Sequence, residues 1–237
     1  MTLRSFCLLA LLLPAGAHAD AWDWRVTPFF WAAGIEGDTS LGNIEGELDV
    51  SFSDILDALE FGALVHVEVH QPGYGFFGDV VYLSLEPDGG TSPLGGEIDV
   101  EIESLFAELG YIWKAFGDGE SGIEIGVRYY DQELTLDPAN LASIDRGESW
   151  TDGFIGFRWH RPLSDKWSFL ARGNIGAGGS DLAWSLTPTL LREFANGNRL
   201  AIGLRTLDVD YEDESQSGIP FSMDVNYAGL IIGYTFD

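Results

Sequence analysis

Val225-Asn226-Tyr227-Ala228-Gly229-Leu230-Ile231-Ile232-Gly233-Tyr234-Thr235-Phe236-Asp237 ends the chain, and its alternation decides the fold. Ala228, Leu230, Ile232, Tyr234 and Phe236 recur at every second residue. Side chains of a strand alternate between faces, so these five share one face. That face is wholly apolar and finishes in two aromatics. The opposite face carries Tyr227, Gly229, Ile231, Gly233 and Thr235, which are smaller or mixed. A last strand of this kind suits a closed sheet with its apolar face turned outward to lipid.

Working outward from it, nine further segments alternate in the same way: 24–32, 64–70, 76–83, 105–113, 123–129, 152–160, 167–175, 182–194 and 199–211. Typical apolar rows are Val65, Val67 and Val69, or Leu105, Ala107, Leu109, Tyr111 and Trp113. Pro28 interrupts the first segment, and proline is tolerated in a strand at an edge or a bulge. Transmembrane strands need about 9–11 residues, and an even number returns both ends of the chain to one side. The expected fold is therefore all-β: a transmembrane, antiparallel, up-and-down β-barrel of about ten strands, with eight or twelve as alternatives. Connections alternate long and short, which predicts short periplasmic turns and long acidic outer loops. Within the first long loop, 44–52 reads as a strand extension. Ser51 or Ser53 caps a short helix over 54–59, with Asp54 in its first turn and Ile55, Leu56 and Leu59 to bury.

Aromatics on the apolar faces gather beside the short turns. Trp24, Phe76, Trp113, Trp159, Trp167, Phe194, Tyr234 and Phe236 form one girdle; Tyr82, Tyr129 and Trp184 belong to the opposite one. A soluble barrel or sandwich would instead turn its apolar faces inward and its polar faces to water.

Residues 1–19 read as a cleaved signal peptide and residues 20–237 as the barrel domain. Arg4 supplies the positive start, 6–13 the apolar run, and Ala17-His18-Ala19 the cleavage site. Cys7 lies inside the leader, so no disulfide framework is available to the exported chain. The expected location is the outer membrane of a Gram-negative cell. Thirty-eight acidic residues against 12 basic ones give a formal net charge of −26. Nucleic acid is excluded as a partner, because binding phosphates needs positive charge.

The face opposite the lipid row should line the lumen. It carries Arg128, Arg158, Arg172 and Arg205 with Glu68, Asp79, Glu108, Glu124 and Asp152. Opposite charges in a narrow interior must pair, so a charge-paired and mostly plugged lumen is expected. The alternative is a narrow porin-like channel lined by an arginine ladder. His66, Glu68 and His70 share a face at a spacing that can hold zinc only if a fourth ligand comes from elsewhere, and they are weak metal candidates. No metal and no cofactor is assigned. Ser84 and Ser168 have histidines within the chain, among them His160, but no nucleophile motif such as G-x-S-x-G is present, so a lipid-modifying enzyme is the third reading and no catalytic residue is assigned. The run Asp208-x-Asp210-x-Glu212-Asp213-Glu214, with Asp54, Asp57 and Glu60, reads as a solvated acidic surface able to meet divalent cations or lipopolysaccharide.

Over residues 22–237 the strand rhythm resembles the small OmpA/OmpW-like outer-membrane barrels of Gram-negative bacteria. Ser51-Phe52-Ser53-Asp54-Ile55-Leu56-Asp57 with Phe61-Gly62, and Leu207-Asp208-Val209-Asp210-Tyr211, are similar to a group of such barrels with no assigned activity. The resemblance implies an integral outer-membrane protein in a structural or surface-interaction role. It also implies outer-membrane lipids and lipopolysaccharide as surroundings, and recognition of the last strand by the barrel-assembly machinery. Family members usually end in an aromatic residue, and Asp237 departs from that pattern by following Phe236.

Overall fold

The computed structural model describes residues 22–41, 44–87, 90–91, 97–116, 119–138, 144–213 and 221–237. The expected signal peptide, residues 1–19 with Cys7, lies outside them, as does Glu214. The elements are β1 (Asp23–Leu41), β2 (Ile44–Val50), α1 (Phe52–Ala58), β3 (Leu59–His70), β4 (Tyr74–Leu85), β5 (Gly90–Thr91) and β6 (Glu97–Trp113). They continue with β7 (Gly122–Pro138), β8 (Ile144–Pro162), β9 (Trp167–Ala177), β10 (Leu182–Glu193), β11 (Arg199–Asp213) and β12 (Phe221–Thr235).

Ten of these strands are the staves of one closed antiparallel barrel, in the order β1-β3-β4-β6-β7-β8-β9-β10-β11-β12. β2 folds back on the far end of β1, and β5 is a short bridge on β6. The last strand closes the sheet. It pairs with β11 from Arg199↔Thr235 to Asp213↔Phe221 and with β1 from Phe29↔Gly233 to Leu41↔Phe221, so no free edge remains there. Close backbone contact at this closure needs glycine. A Cβ on Gly229 would lie 1.8 Å from the Ala32 carbonyl oxygen.

The faces divide by chemistry. Outward side chains are apolar and exposed: Leu109 is 64% exposed, Leu204 58%, Ile125 and Ile155 55% each. Inward side chains at the same levels are charged and buried, with Glu124 and Asp152 at 0% and Arg128 at 1%. A soluble barrel has the reverse arrangement, and that alternative is excluded on this geometry.

Four short connections lie at one end, at 71–73, 114–121, 163–166 and 194–198. At the other end the strands themselves run on past the apolar band, up to 19 residues in β1 and β8. The connection 178–181 at that end is as brief as the opposite turns. Height there comes from strand length as well as from loops, because long hairpins satisfy their own backbone groups in solvent.

One seam is less complete. β1 pairs with β3 only from Asp23↔His70 to Pro28↔Val65, and then from Ile35 onward with β2. Pro28 has no N–H to continue the ladder. Beside the gap Ser51 caps α1: its hydroxyl accepts from the Asp54 N–H at 3.3 Å while its own N–H donates to Asp54 Oδ2 at 3.0 Å. These bonds hold the Asp54 carboxyl below its ordinary range. The helix starts two residues earlier than its charge pattern predicts, and Leu59 opens β3. Ile55 is buried, but Leu56 is exposed, against expectation, because one short helix lying on the barrel has only one face to cover.

Candidate functional site

The bore holds two layers. Toward the short-turn end lies a network of charges; toward the long-loop end lies a layer of stacked rings.

Glu68 of β3 is the hub of the first. Arg158 Nη1 on β8 donates to its Oε1 at 2.7 Å, His66 Nε2 lies 3.0 Å from the same oxygen, and His70 Nε2 lies 2.8 Å from Oε2. The other ring nitrogen of His66 meets Asp79 Oδ2 at 3.0 Å, and Arg205 Nη1 donates to Asp79 Oδ1 at 3.0 Å. Arg128 Nε donates to Glu108 at 2.8 Å, and Arg172 donates to Glu124 through Nε at 3.0 Å and Nη2 at 3.1 Å. Arg172 also lies 4.5 Å above the Phe77 ring. Every inward arginine on this wall is thus fixed by a carboxylate from another strand, as buried charge requires.

The expected lumen residues all face the bore, with one difference in role. Among the described residues no arginine holds Asp152. Its Oδ1 accepts from the N–H groups of Gly179 at 2.9 Å and Ser180 at 2.7 Å, fastening the 178–181 turn. His66, Glu68 and His70, the weak metal candidates, lie together inside this network. The imidazoles face carboxylates of the network, and among the described residues no group of three ligands could hold a metal. Ser84 bonds Glu60 and not a histidine. The girdle residues Trp24, Phe76, Trp113, Trp159, Trp167, Phe194, Tyr234 and Phe236 all lie on the outer surface.

Several members of the network escape strand-by-strand reading. Arg25 on β1 donates to both oxygens of Glu120, at 2.9 and 3.1 Å, and to Asp23 at 3.0 Å. The Asp237 side chain lies 3.4 Å from Arg25 Nε and 3.5 Å from Arg199 Nη2, tying β1 to β11 across the end of β12. Burial would raise the Glu120 carboxyl, but the Arg25 hydrogen bonds and charge outweigh it and hold the group below its ordinary range. The sequence signal for Arg25 is its place between Trp24 and Val26 on the outward row, which turns it to the bore.

Above the charges, rings from six strands meet across the bore. Trp150 stacks between Tyr130 and Tyr211, with centroids 4.8 and 4.0 Å apart and planes within 20° of parallel. Phe106 meets Tyr130 and Tyr227 edge-on at 5.8 and 5.3 Å, and Tyr227 meets Trp31 at 6.4 Å. Trp150 Nε1 donates to Ser180 Oγ at 2.8 Å, so its polar edge is satisfied. Tyr130 and Trp150 lie just beyond the segments where alternation was traced, and although Trp31, Phe106, Tyr211 and Tyr227 lie within them, which rings meet across the bore depends on register and not on any one strand.

Below the rings a cavity of about 1050 Å³, counting its mouth, occupies the middle and short-turn levels. Charged residues of β3 to β9 line one wall; Thr27, Ser185, Thr187, Thr189, Ala201 and Thr235 line the other.

No family model and no curated protein matches the sequence. Among solved structures the chain is similar to the β domain of the Bordetella autotransporter BrkA, at 13% identity and a TM-score of 0.36, covering 92% of this chain and 99% of that one. The closed barrel described above rests on the strand registers and not on that likeness.

Proposed function

We propose that this protein is an integral outer-membrane β-barrel of a Gram-negative cell, in a structural or surface-interaction role, with a bore closed to solute flow. The short turns face the periplasm and the extended hairpins face outward. The carrying observation is the inversion of faces: an exposed apolar exterior flanked by aromatics, around a buried and paired ionic interior. Water cannot solvate such an exterior without large cost, whereas hydrocarbon can. The stacked layer around Trp150 supports closure, since its rings pack against one another across the bore.

Outside the apolar band the carboxylates Glu47, Asp38, Asp224 and Asp210 stand directly opposite one another across four strands. We assign this collar to lipopolysaccharide contact through divalent cations, which would relieve its like-charge repulsion. We assign β12 to the barrel-assembly machinery.

The architecture is tested by membrane fractionation with heat-modifiable gel mobility, and recovery wholly in the soluble fraction would overturn it. Closure is tested in planar bilayers, where the expected result is no discrete conductance. Steady channels would favour the second reading, a narrow channel, which the cavity at the short-turn end supports.

A further inference from the structure

We propose that the outward face of β8, β9 and β10 at the short-turn end is a docking site for an anionic glycerophospholipid. Arg161, Lys166 and Arg192 would hold its phosphate, and its acyl chains would lie along the apolar side chains beside them. The inference rests on the reading that the chain spans the outer membrane with its short turns toward the periplasm.

The first observation is that these three cations are unpaired. In the bore each arginine of the charge network is met by a carboxylate. Arg161, Lys166 and Arg192 are exposed, and among the described residues no side chain of the three forms an ion pair or a hydrogen bond. Asp165 shares the turn with Lys166 but pairs with none of them. Glu193 follows Arg192 on β10, so its side chain turns to the other face. In a chain of net charge −26 with 12 basic residues, three unpaired cations on one rim mark a place for an anion.

The second observation is their geometry. Arg192 stands in register with Trp167 of β9, and Arg161 with Phe169 two residues further along β9. The two arginines are therefore on strands about 10 Å apart, offset by one outward step. The Lys166 carbonyl accepts from the Glu193 N–H at 2.9 Å, which sets the 163–166 turn against the end of β10. The Arg192 guanidinium lies 5.7 Å from the Trp167 ring centre and 5.5 Å from that of Phe194. Stacking uses the face of the guanidinium and leaves its N–H edge free, and that edge binds phosphate bidentately.

The third observation is the level. Trp159, Trp167 and Phe194 belong to the girdle, and Arg161 is two residues nearer the turn than Trp159. Away from the turn the exposed Leu190 and Leu186 continue the row of Arg192 into the apolar band. Cations at the rim, rings beneath them and aliphatic side chains beyond repeat the order of a phosphate and its acyl chains. At the opposite end of the barrel a lipid meets the carboxylates of the acidic collar instead, which selects the leaflet on the short-turn side.

The test is native mass spectrometry of the refolded full-length barrel, released from detergent micelles doped with equimolar phosphatidylglycerol and phosphatidylcholine. The phosphatidylglycerol adduct should exceed the other by about fivefold or more, and excess inorganic phosphate should not displace it. Arg161→Gln with Arg192→Gln should bring the two adducts to parity with heat-modifiable mobility intact, since neither arginine has a carboxylate to lose. Lys166→Gln, in an exposed turn, is the second variant and should lower the preference by about twofold or more. Lys114→Gln, at a different short turn, should leave it unchanged. Parity in the native chain, a preference that survives the double variant, an equal loss in Lys114→Gln, or displacement by inorganic phosphate would overturn the proposal. Flotation with phospholipid vesicles separates the two readings. A barrel that fails to float sinks the membrane reading and this inference with it, whereas one that floats and shows parity overturns this inference alone.

Discussion

The Glu68 carboxylate accepts from the Arg158 guanidinium, 90 residues away in sequence, at 2.7 Å. Glu68 also meets His66 and His70, so one acidic side chain joins β3 to β8 through the middle of the barrel. Arg158→Leu should leave this carboxylate buried beside two imidazoles alone. The expected loss is about 3–5 kcal/mol of folding free energy, read as a lowered urea midpoint for the micelle-bound barrel. Adding Glu68→Gln to Arg158→Leu should recover part of it, because the uncompensated charge is then gone.

Trp150 is clamped between Tyr130 and Tyr211, and its truncation opens the ring layer. Trp150→Ala should cost about 3–5 kcal/mol and should give bilayer conductance, with none expected of the native chain. Trp150→Phe keeps a ring in place and should remain silent.

Glu120 links acid stability to the Arg25 contact at the short-turn rim. Its folded-state carboxyl titrates below the ordinary value of 4.5. The contact therefore adds stability in full above that value and loses it as pH falls through the lower, folded one. Glu120→Gln should be less stable than the native chain near pH 7, and the gap should narrow as the medium is acidified. Paired urea titrations across the acid range measure it.

Gly229→Ala should prevent closure of β12 on β1, because the added carbon would overlap the Ala32 carbonyl oxygen of the neighbouring backbone. The expected outcome is loss of the heat-modifiable folded band. Gly73→Ala, at a turn with nothing within 4 Å of the added carbon, should keep it.

Asp152→Ala should release the 178–181 turn by removing the acceptor of two backbone N–H groups. Limited proteolysis from the outer side should then cut at that turn, at a stability cost of about 1–3 kcal/mol. The ring layer should loosen with it, since Ser180 also holds Trp150.

Alternation within short segments was enough to find the ten staves and to sort Glu68, Asp79, Glu108, Glu124, Arg128, Arg158, Arg172 and Arg205 onto the inner face. The period of a strand is local, and a charge opposite an apolar row has only one face to occupy. The partner of each charge was not legible. Arg205 reaches Asp79 across 126 residues, and a one-residue change of register would have set a different pair. Asp152 illustrates the limit. Its cross-strand neighbour is Arg128, yet its carboxylate serves the backbone of a turn.

By itself, then, the sequence determined a closed, lipid-facing barrel: apolar side chains at every second position of ten segments can be satisfied together only on the outside of one sheet. Only the tertiary structure decided what fills the interior. The last strand, with its Ala228-Leu230-Ile232 row, settled the outer surface. The stacking of Trp150, the seam at Pro28 and the place of Asp237 between Arg25 and Arg199 depend on which strands face each other across the bore. That is a matter of register and closure, which no single strand encodes.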